Sequence, residues 1–588
     1  MMQNTLYVSW RALSRGAAVS MLGALAACSD GAGSKIDPNP NLGAPTDVSL
    51  NVYGAKTVSG SGGVKFVTPG RYAVLPQFAA TNDFAAGTSR ATVPSFPFTI
   101  GGLGTLTARV QPIAAPPVSL SAVDAFHLRL RNMEREEIPR AQAYQELLKS
   151  RPPLSLKVQA QLATALDTRD FKVLASLSGG TYTTVTARLV YTGNNILVYV
   201  DNQTPTANGF TDVEYAGFGR QMDQDLFPID VATWGTTSDI DANGKTFVLF
   251  TPIVNRLTLS TGSCGSYVAG FFNGADLSGS ANGNKGEIFY SSVPGEPAGG
   301  PTCNLLSTNT VRLSAPATFI HELQHMISYN QHIFVKKAST TEDIWLNEGL
   351  SHMAEELGGK LYETHWPCPN LPPCPASPGR ASTAQIFPDS SQGFLPPNFA
   401  NVYDFFTSRQ DFSLTSPTGF GTIEERGVAW FFLRWLVDQK GEAKLTQLEQ
   451  TSLTGTANIE AVMGESFPTL FADYLTAVLL DDFPGATTGQ ISTRYQFTSR
   501  NLRAIYARLN SIAATAFPTA YPLDVNDLPA LAKLTPGSVL QTVQMKPGSL
   551  DLFQFTSTVA NAGMSFKPST GTFQTNLNAQ VTVVRLPN

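Results

Sequence analysis

The sequence carries little charge, and the balance is not basic. Asp, Glu, Lys and Arg make up 14% of its 588 residues, and the formal net charge is −5 at pH 7. A protein that binds nucleic acid needs Lys and Arg to replace the counterions of the phosphates, and no cluster of basic residues occurs. The composition therefore argues against a nucleic-acid partner. The 49 Gly and 39 Pro instead favour a loop-rich, β-containing exported protein.

The sequence also lacks a long apolar run, since no segment approaches ~18 uninterrupted apolar residues. The apolar stretch Ala17–Ala27 follows Arg11 and Arg15, as in an export signal. Its end, Leu25-Ala26-Ala27-Cys28, resembles the lipobox of bacterial lipoproteins. That resemblance implies a signal peptide over residues 1–27, a lipidated Cys28, an outer-membrane location and membrane contact through the lipid anchor only. An ordinary secretory signal with an incidental Cys28 is the alternative.

Cysteine is scarce, with five in the chain. Apart from Cys28 there are four, an even number that in an exported protein indicates disulfides. Proximity favours the pairs Cys264–Cys303 and Cys368–Cys374, although three pairings are possible. A cysteine zinc site is the weaker interpretation, because no C-x-x-C occurs.

The pattern of apolar residues predicts a multidomain α+β fold. Alternating apolar residues mark strands near both ends of the chain, and helical spacing dominates the segment that follows residue 311. The predicted divisions are a tether at 28–45, a β domain at 46–118, a helical linker or pro-region at 119–178, a β-rich part at 179–310, a helical part at 311–485, a connecting segment at 486–535, and a C-terminal β unit at 536–588.

Asp239, Asp241 and Asn243 precede Gly244 in a D-x-D-x-N-G pattern. This spacing places three oxygen ligands around a turn, as in calcium loops. An EF-hand has Glu at loop position 12, which here is Phe250, so the loop is not an EF-hand. A calcium site and a plain turn before a strand both remain open.

One motif carries specific chemistry: His321-Glu322-Leu323-Gln324-His325, an H-E-x-x-H pattern. Two His at i and i+4 lie on one helix face, close enough to share a zinc ion, and Glu322 can reach the metal's water without binding the metal. Ser314 and Pro316 predict where this helix begins.

The third ligand has to come from elsewhere in the chain. The metzincin pattern fails because Ser328 and Gln331 replace its Gly and His, and His332 lies too far along the same helix. The segment from Ser339 to Gly359 predicts a second helix, begun by an S-x-x-E capping box with Glu342. Glu348 on this helix is the predicted third ligand. His352 is predicted to orient it, and Glu355 is a fallback ligand or an outer acid.

The segments "HELQHMI" and "WLNEGLSHMAEEL" resemble the gluzincin zinc peptidases, and among them the hyicolysin-like peptidases. The flanking "DIDANGKTFVLFTPIVN" and "ESFPTLFADYLTAVLL" extend the resemblance over roughly residues 180–485. The gap of 23 positions from His325 to Glu348 is longer than in the aminopeptidase branch of that clan.

The resemblance implies a zinc metalloendopeptidase, with Glu322 as general base and a peptide or protein substrate. The oxyanion-stabilising donor is left open among Tyr329, Tyr362, Tyr403 and His352. We expect the strand "GEIFY", residues 286–290, to be the sheet edge that binds the peptide. Two alternatives stay open: a catalytically silent surface lipoprotein that binds protein or glycan, and a zinc hydrolase of non-peptide amides or esters. The oligomeric state is not predicted.

Overall fold

The structure, a computed structural model, describes residues 44–80, 95–104, 121–150, 167–176, 178, 180–259, 264, 266–361, 393–415, 421–531, 534–568 and 573–588. The chain is a mixed α/β protein of several sheets and many helices. The described residues form three parts: a two-sheet β unit, a six-stranded sheet and a helical part.

Strands from both ends of the chain build the two-sheet unit. The N-terminal strands are β1 (Thr46–Val48), β2 (Ala55–Ser59), β3 (Gly62–Phe66), β4 (Gly70–Phe78) and β5 (Phe96–Gly101). The C-terminal strands are β12 (Asn526–Asp527), β13 (Val539–Met545), β14 (Phe553–Ser557), β15 (Ala562–Lys567) and β16 (Ala579–Leu586). The sheet orders are β1-β3-β15-β5-β13 and β12-β14-β4-β16-β2. The two segments that the sequence treats as separate β units thus share both sheets.

Strand β4 shows how this unit attaches to the rest of the protein. Alternate side chains point to opposite faces of a strand. Tyr72 and Val74 pack into the core between the two sheets, whereas Ala73 and Leu75 pack into the large core of the helical part. The strand is buried on both faces, which explains its nearly unbroken apolar sequence.

The six-stranded sheet has the order β10-β11-β9-β8-β7-β6. Its strands are β6 (Thr168–Leu174), β7 (Tyr182–Thr192), β8 (Ile196–Asp201), β9 (Thr246–Phe250), β10 (Gly270–Phe272) and β11 (Ile288–Ser291). The expectation that "GEIFY" forms the edge is wrong, because β11 lies between β9 and β10. In the described residues the edges are β10 and β6, and β10, three residues long and begun by Gly270, is too short to give a strand pattern in the sequence.

The helices in the described residues follow in chain order. They are α1 (Ala122–Lys149), α2 (Asp212–Gln221), α3 (Phe227–Trp234), α4 (Pro252–Arg256), α5 (Thr308–Tyr329), α6 (Ile344–Lys360), α7 (Leu395–Thr407), α8 (Ile423–Lys440), α9 (Ala443–Glu449), α10 (Gly455–Met463), α11 (Phe467–Leu480) and α12 (Leu502–Ile512). Single π-helical turns continue α2 over Met222–Leu226 and α5 over Asn330–Val335. None of the described helices combines the length and apolarity that a membrane crossing requires.

Helix α5, which carries the H-E-x-x-H motif, begins earlier than the sequence predicts. Ser307 is its N-cap, and its hydroxyl accepts a hydrogen bond from the Thr310 N–H over 3.0 Å. The predicted start at Ser314 and Pro316 is therefore wrong. Pro316 lies inside the helix, which continues through it with one backbone hydrogen bond fewer.

Helix α6 begins at Ile344 with Asp343 as N-cap, so the capping box predicted at Ser339 and Glu342 is also wrong. The buried Glu342 carboxylate instead accepts hydrogen bonds from the Gly455 N–H, at 2.6 Å, and the Asn458 side-chain amide, at 2.8 Å. These donors lie at the start of α10, so the carboxylate fastens α10 beside α6 rather than capping its own helix.

Candidate metal centre

Helices α5 and α6 pack together and bring the three predicted metal ligands to one point. His321 Nε2 lies 3.5 Å from Glu348 Oε2, and His325 Nε2 lies 3.6 Å from Glu348 Oε1. All three side chains are buried, with Glu348 only 1% exposed. Each imidazole therefore presents one nitrogen to one oxygen of the same carboxylate.

These separations fit ligands of a common ion. Two donors ~2.0–2.2 Å from one tetrahedral metal ion lie about 3.3–3.6 Å apart. A nitrogen–oxygen distance of 3.5 Å is too long for a good hydrogen bond. Glu348 Oε2 is buried, and among the described residues it accepts no hydrogen bond. A carboxylate oxygen left in that state is expensive unless a cation meets it, so the residues fit a metal ion.

Each histidine is oriented from its far side. His321 Nδ1 donates to Glu355 Oε1 over 2.7 Å, and His325 Nδ1 lies 3.1 Å from Asn347 Oδ1. A hydrogen bond at Nδ1 fixes the tautomer that leaves Nε2 free to bind a metal. Glu355, which the sequence predicts as a fallback ligand, thus accepts a hydrogen bond from the His321 nitrogen that does not face Glu348.

A second group of potential ligands overlaps the first. His321, His352 and Glu355 offer ligand atoms that lie within 4.8 Å of one another, as do His321, Glu322 and His325. The group with His352 would use the His321 nitrogen that already bonds Glu355, and it leaves Glu348 unpaired. His352 lies beside His321, with 4.9 Å between ring centroids, and its Nδ1 is 3.1 Å from Glu355 Oε2. The predicted link from His352 to Glu348 is replaced by one to Glu355.

The electrostatics differ between the two histidines: burial and Arg131 lower the pKa of His325 well below its usual value, whereas positive charge is favoured at His321. Burial alone would lower the pKa of His321, yet the Glu348 and Glu355 carboxylates raise it to about 10. Burial alone would likewise raise the pKa of Glu348, but His325, His321 and Arg426 hold it well below its usual range. Glu348 and Glu355 therefore stabilise positive charge at His321.

Glu322 lies close to both histidines: one of its carboxylate oxygens and one nitrogen of each ring lie within 4.8 Å of one another. Its Oε2 accepts a hydrogen bond from the Phe272 N–H over 2.9 Å and lies 3.9 Å from Arg131 Nη2. Burial raises the pKa of Glu322, and His321 and Arg131 counteract this. The hydrogen bond from the Phe272 N–H links this carboxylate to strand β10. It therefore fixes the position of helix α5, which carries the motif, relative to that strand.

Helix α1 closes one side of the centre. Arg131 on α1 also lies 3.2 Å from Glu134, while Asp124 on α1 forms a 2.6 Å ion pair with Arg426 of α8. Arg426 Nη1 is in turn 3.7 Å from Glu348 Oε2. No sequence signal indicated these partners, because Asp124 and Arg426 are 302 positions apart.

The oxyanion candidates are dispersed. The Tyr403 hydroxyl bonds the Thr519 hydroxyl at 2.8 Å, away from the ligands. Tyr329 packs against Phe272 and Phe334 near the end of α5, with its hydroxyl buried. Tyr362 lies outside the described residues. Of the three candidates that the structure describes, His352 is the one that both contacts His321 and lines the neighbouring cavity.

That cavity has a volume of about 260 Å³ and adjoins the metal centre. His352, Glu355 and Arg426 lie on its wall. Much of the remaining lining is apolar, contributed by Leu313, Ala317, Pro396, Pro397, Ala400 and Phe517. Its shape and lining suit an apolar side chain of a bound molecule.

Some of the other predicted site residues are confirmed, and others lie outside the residues that the structure describes. The disulfide Cys264–Cys303 is confirmed. Cys28, Cys368 and Cys374 lie outside the described residues, so the second disulfide and the lipidation site stay predictions. His332, rejected as a ligand, lies on the π-helical turn after α5, where burial lowers its pKa to about 4.

Comparison with known proteins gives one relationship. No family model matches the chain. The chain is 30% identical over 171 residues to the neutral metalloprotease ShpI of Staphylococcus hyicus. The match covers 29% of this chain and spans 36% of the length of that relative. It supports a relationship to metalloproteases, and the group formed by His321, Glu322 and His325 supplies residues that could hold a metal.

Proposed function

We propose that this protein is a zinc-dependent endopeptidase of the gluzincin type. The observation that carries the proposal is the arrangement of His321 and His325, whose Nε2 atoms face the two oxygens of Glu348. Two imidazoles and one carboxylate form the ligand set of catalytic zinc sites, which keep a position open for water. The partial match to a metalloprotease supports the same reaction class.

Zinc bound there would activate a water molecule and polarise the scissile carbonyl. Glu322 is the general base in this proposal: its carboxylate takes a proton from the water and passes it to the leaving amine. Its raised pKa suits that exchange, because a base with a pKa nearer neutrality can also return the proton. Phe272 holds the carboxylate at the strand edge, and His352 is our candidate donor to the oxyanion.

The substrate would lie along β10, the edge of the six-stranded sheet. An extended peptide can add to such an edge as a further strand, and the Phe272–Glu322 bond places the base at this strand. The cavity lined by Leu313 and Ala400 then receives an apolar side chain next to the scissile bond. Ala400→Trp should reduce cleavage beside large apolar residues far more than beside alanine.

We also propose that the enzyme is exported and anchored by lipid at Cys28. Labelled fatty acid incorporated into the wild type and absent from Cys28→Ser would support the anchor. Equal labelling of both would overturn it. Residues 46–104 belong to the mature enzyme in this proposal, because β4 is paired on both sides by the C-terminal strands β14 and β16.

The direct test compares wild type with Glu322→Gln on a library of peptides, with products identified by mass spectrometry. Glu442→Gln, a change at the surface, is the matched control. We expect internal cleavage by wild type and control, and a loss of several orders of magnitude in Glu322→Gln with zinc retained. Zinc-loaded, folded wild type that cleaves no peptide would contradict the proposal. It would favour a binding lipoprotein or a non-peptide hydrolase.

A further inference from the structure

A group of three carboxylates meets where the parallel strands β9 and β11 begin. The loop that carries Asp239 and Asp241 lies against Glu287, which immediately precedes β11. One oxygen from each carboxylate lies within 4.8 Å of the others. Asp239 is exposed and Asp241 is partly buried, whereas Glu287 is only 1% exposed.

The two carboxylate oxygens of Glu287 have different surroundings. Its Oε1 accepts hydrogen bonds from the Ser238 hydroxyl at 2.6 Å and the Ile240 N–H at 3.0 Å. Its Oε2 is fully buried, and among the described residues nothing donates to it. A buried carboxylate oxygen without a partner is costly, and here it sits in a group with two more acids. Burial also raises the pKa of Glu287 to about 7, with Asp241 and Asp239 adding to it.

Nearby cations do not neutralise the group. Arg169 approaches Asp241 at 3.9 Å, but its guanidinium stacks on the Phe247 ring, 4.1 Å from the centroid. The Lys245 ammonium donates to the backbone carbonyls of Gly193 and Asn194. Three carboxylates thus converge with one distant arginine to balance them.

Asn243 does not take the role that the sequence suggested. Its side-chain oxygen accepts a hydrogen bond from the Lys245 N–H, and its amide nitrogen donates to Asp241 Oδ2 over 2.8 Å. The asparagine therefore shapes the loop. Glu287, 43 positions beyond the end of the 239–244 loop, supplies the third carboxylate instead.

We propose that Asp239, Asp241 and Glu287 bind a calcium ion. The donors are all carboxylate oxygens, which suit a hard divalent cation and not zinc or copper. The exposed side of the group, at Asp239, leaves room for the several waters that complete a calcium sphere. The ion joins the 239–244 loop to β11, which pairs with the edge strand β10. This inference does not depend on the proposed peptidase activity.

The test is equilibrium dialysis of the full chain with radioactive calcium, at constant zinc, together with thermal unfolding in calcium or magnesium. We expect about one bound calcium and a higher Tm in calcium than in magnesium. Asp239→Asn, an exposed change that leaves the fold intact, and Glu287→Gln should lose both effects. Asp212→Asn, a surface aspartate elsewhere, should keep both.

A further variant tests whether calcium binding is independent of the candidate metal centre. Glu348→Gln should bind calcium like wild type, whatever its activity. Wild type that binds no calcium would overturn the proposal, as would Asp239→Asn and Glu287→Gln that bind it fully. Equal stabilisation by magnesium would overturn the assignment to calcium.

Discussion

His321 connects two carboxylates, donating from Nδ1 to Glu355 Oε1 over 2.7 Å while its Nε2 faces Glu348 Oε2 at 3.5 Å. Burial alone would raise the pKa of Glu355, yet His352 and His321 lower it to about 2. The outer carboxylate is therefore ionised and fixes the ring that should hold the metal.

The first prediction concerns this outer carboxylate. Glu355→Gln keeps a hydrogen-bond acceptor but removes the charge that makes His321 a stronger ligand. We expect zinc affinity to fall by about 10–100-fold, measured by competition with a fluorescent chelator. Glu442→Gln should leave the affinity unchanged. Equal affinities in both variants would mean that Glu355 does not support the ligand.

Arg131 should be essential for stability, because it lies between the buried carboxylates of Glu322 and Glu134. Arg131→Met leaves both acids without their cation, which should lower the free energy of unfolding by about 3–5 kcal/mol. Arg140→Met, on the exposed face of the same helix, should change it by about 0.5 kcal/mol or less. Urea unfolding followed by fluorescence measures both, and similar small effects would contradict the assigned role.

Glu356 gives a prediction about pH. Burial would raise its pKa, but Arg434, Arg500 and Lys360 lower it to about 2, well below its usual 4.5. A carboxyl whose pKa is depressed on folding contributes stability above its unfolded pKa and loses it as pH falls toward the folded value. Wild type should therefore lose stability between about pH 5 and pH 2 more steeply than Glu356→Gln.

The measurement is the urea midpoint of both proteins at a series of pH values. At pH 7 the variant should be the less stable, because the buried Arg500 and Arg434 lose the negative charge of Glu356, although Arg434 keeps its ion pair with Asp438. The difference between the two proteins should shrink as the pH falls. A difference that stays constant with pH would show that folding does not depress the pKa of Glu356 and would contradict the role assigned to its arginine partners.

The disulfide Cys264–Cys303 encloses both β10 and β11, with a sequence separation of 39 residues. Closing a loop of that length stabilises a protein by up to about 4 kcal/mol through the unfolded chain. The double variant Cys264→Ser/Cys303→Ser should unfold at a clearly lower temperature than wild type. An unchanged Tm would contradict a structural role for the bond.

The sequence was most informative where the chemistry is local. His321, Glu322 and His325 are spaced by one helical turn, and Glu348 follows on the next helix, so pattern and periodicity sufficed to predict their meeting. Asp239 and Asp241 were likewise found by their spacing. Each of these features depends on one turn or on two helices that follow each other in the chain.

What the sequence did not disclose is long-range. Arg131 reaches Glu322, and Asp124 reaches Arg426, only because the folded chain brings α1 across the centre. Glu287 meets the 239–244 loop through the pairing of β9 with β11. No local pattern encodes such meetings, and the order of strands within a sheet is equally hidden, which is why β11 was mistaken for the edge.

Local rules also failed where tertiary partners compete. The S-x-x-E pattern at Ser339 and Glu342 fits a capping box, but Gly455 and Asn458 take the carboxylate. Pro316 fits the first turn of a helix, yet the Ser307 cap, with Val311 and Ala315 buried, extends α5 back to Thr308. Packing outweighed the preference of each segment.

The most direct test of the account is the zinc content, by plasma emission, of wild type, Glu348→Gln and His352→Gln, each confirmed as folded by circular dichroism. If His321, His325 and Glu348 hold the metal, wild type and His352→Gln will carry about one zinc per chain and Glu348→Gln will carry far less. Zinc retained in Glu348→Gln and lost in His352→Gln would place the ion at His321, His352 and Glu355 and contradict the account.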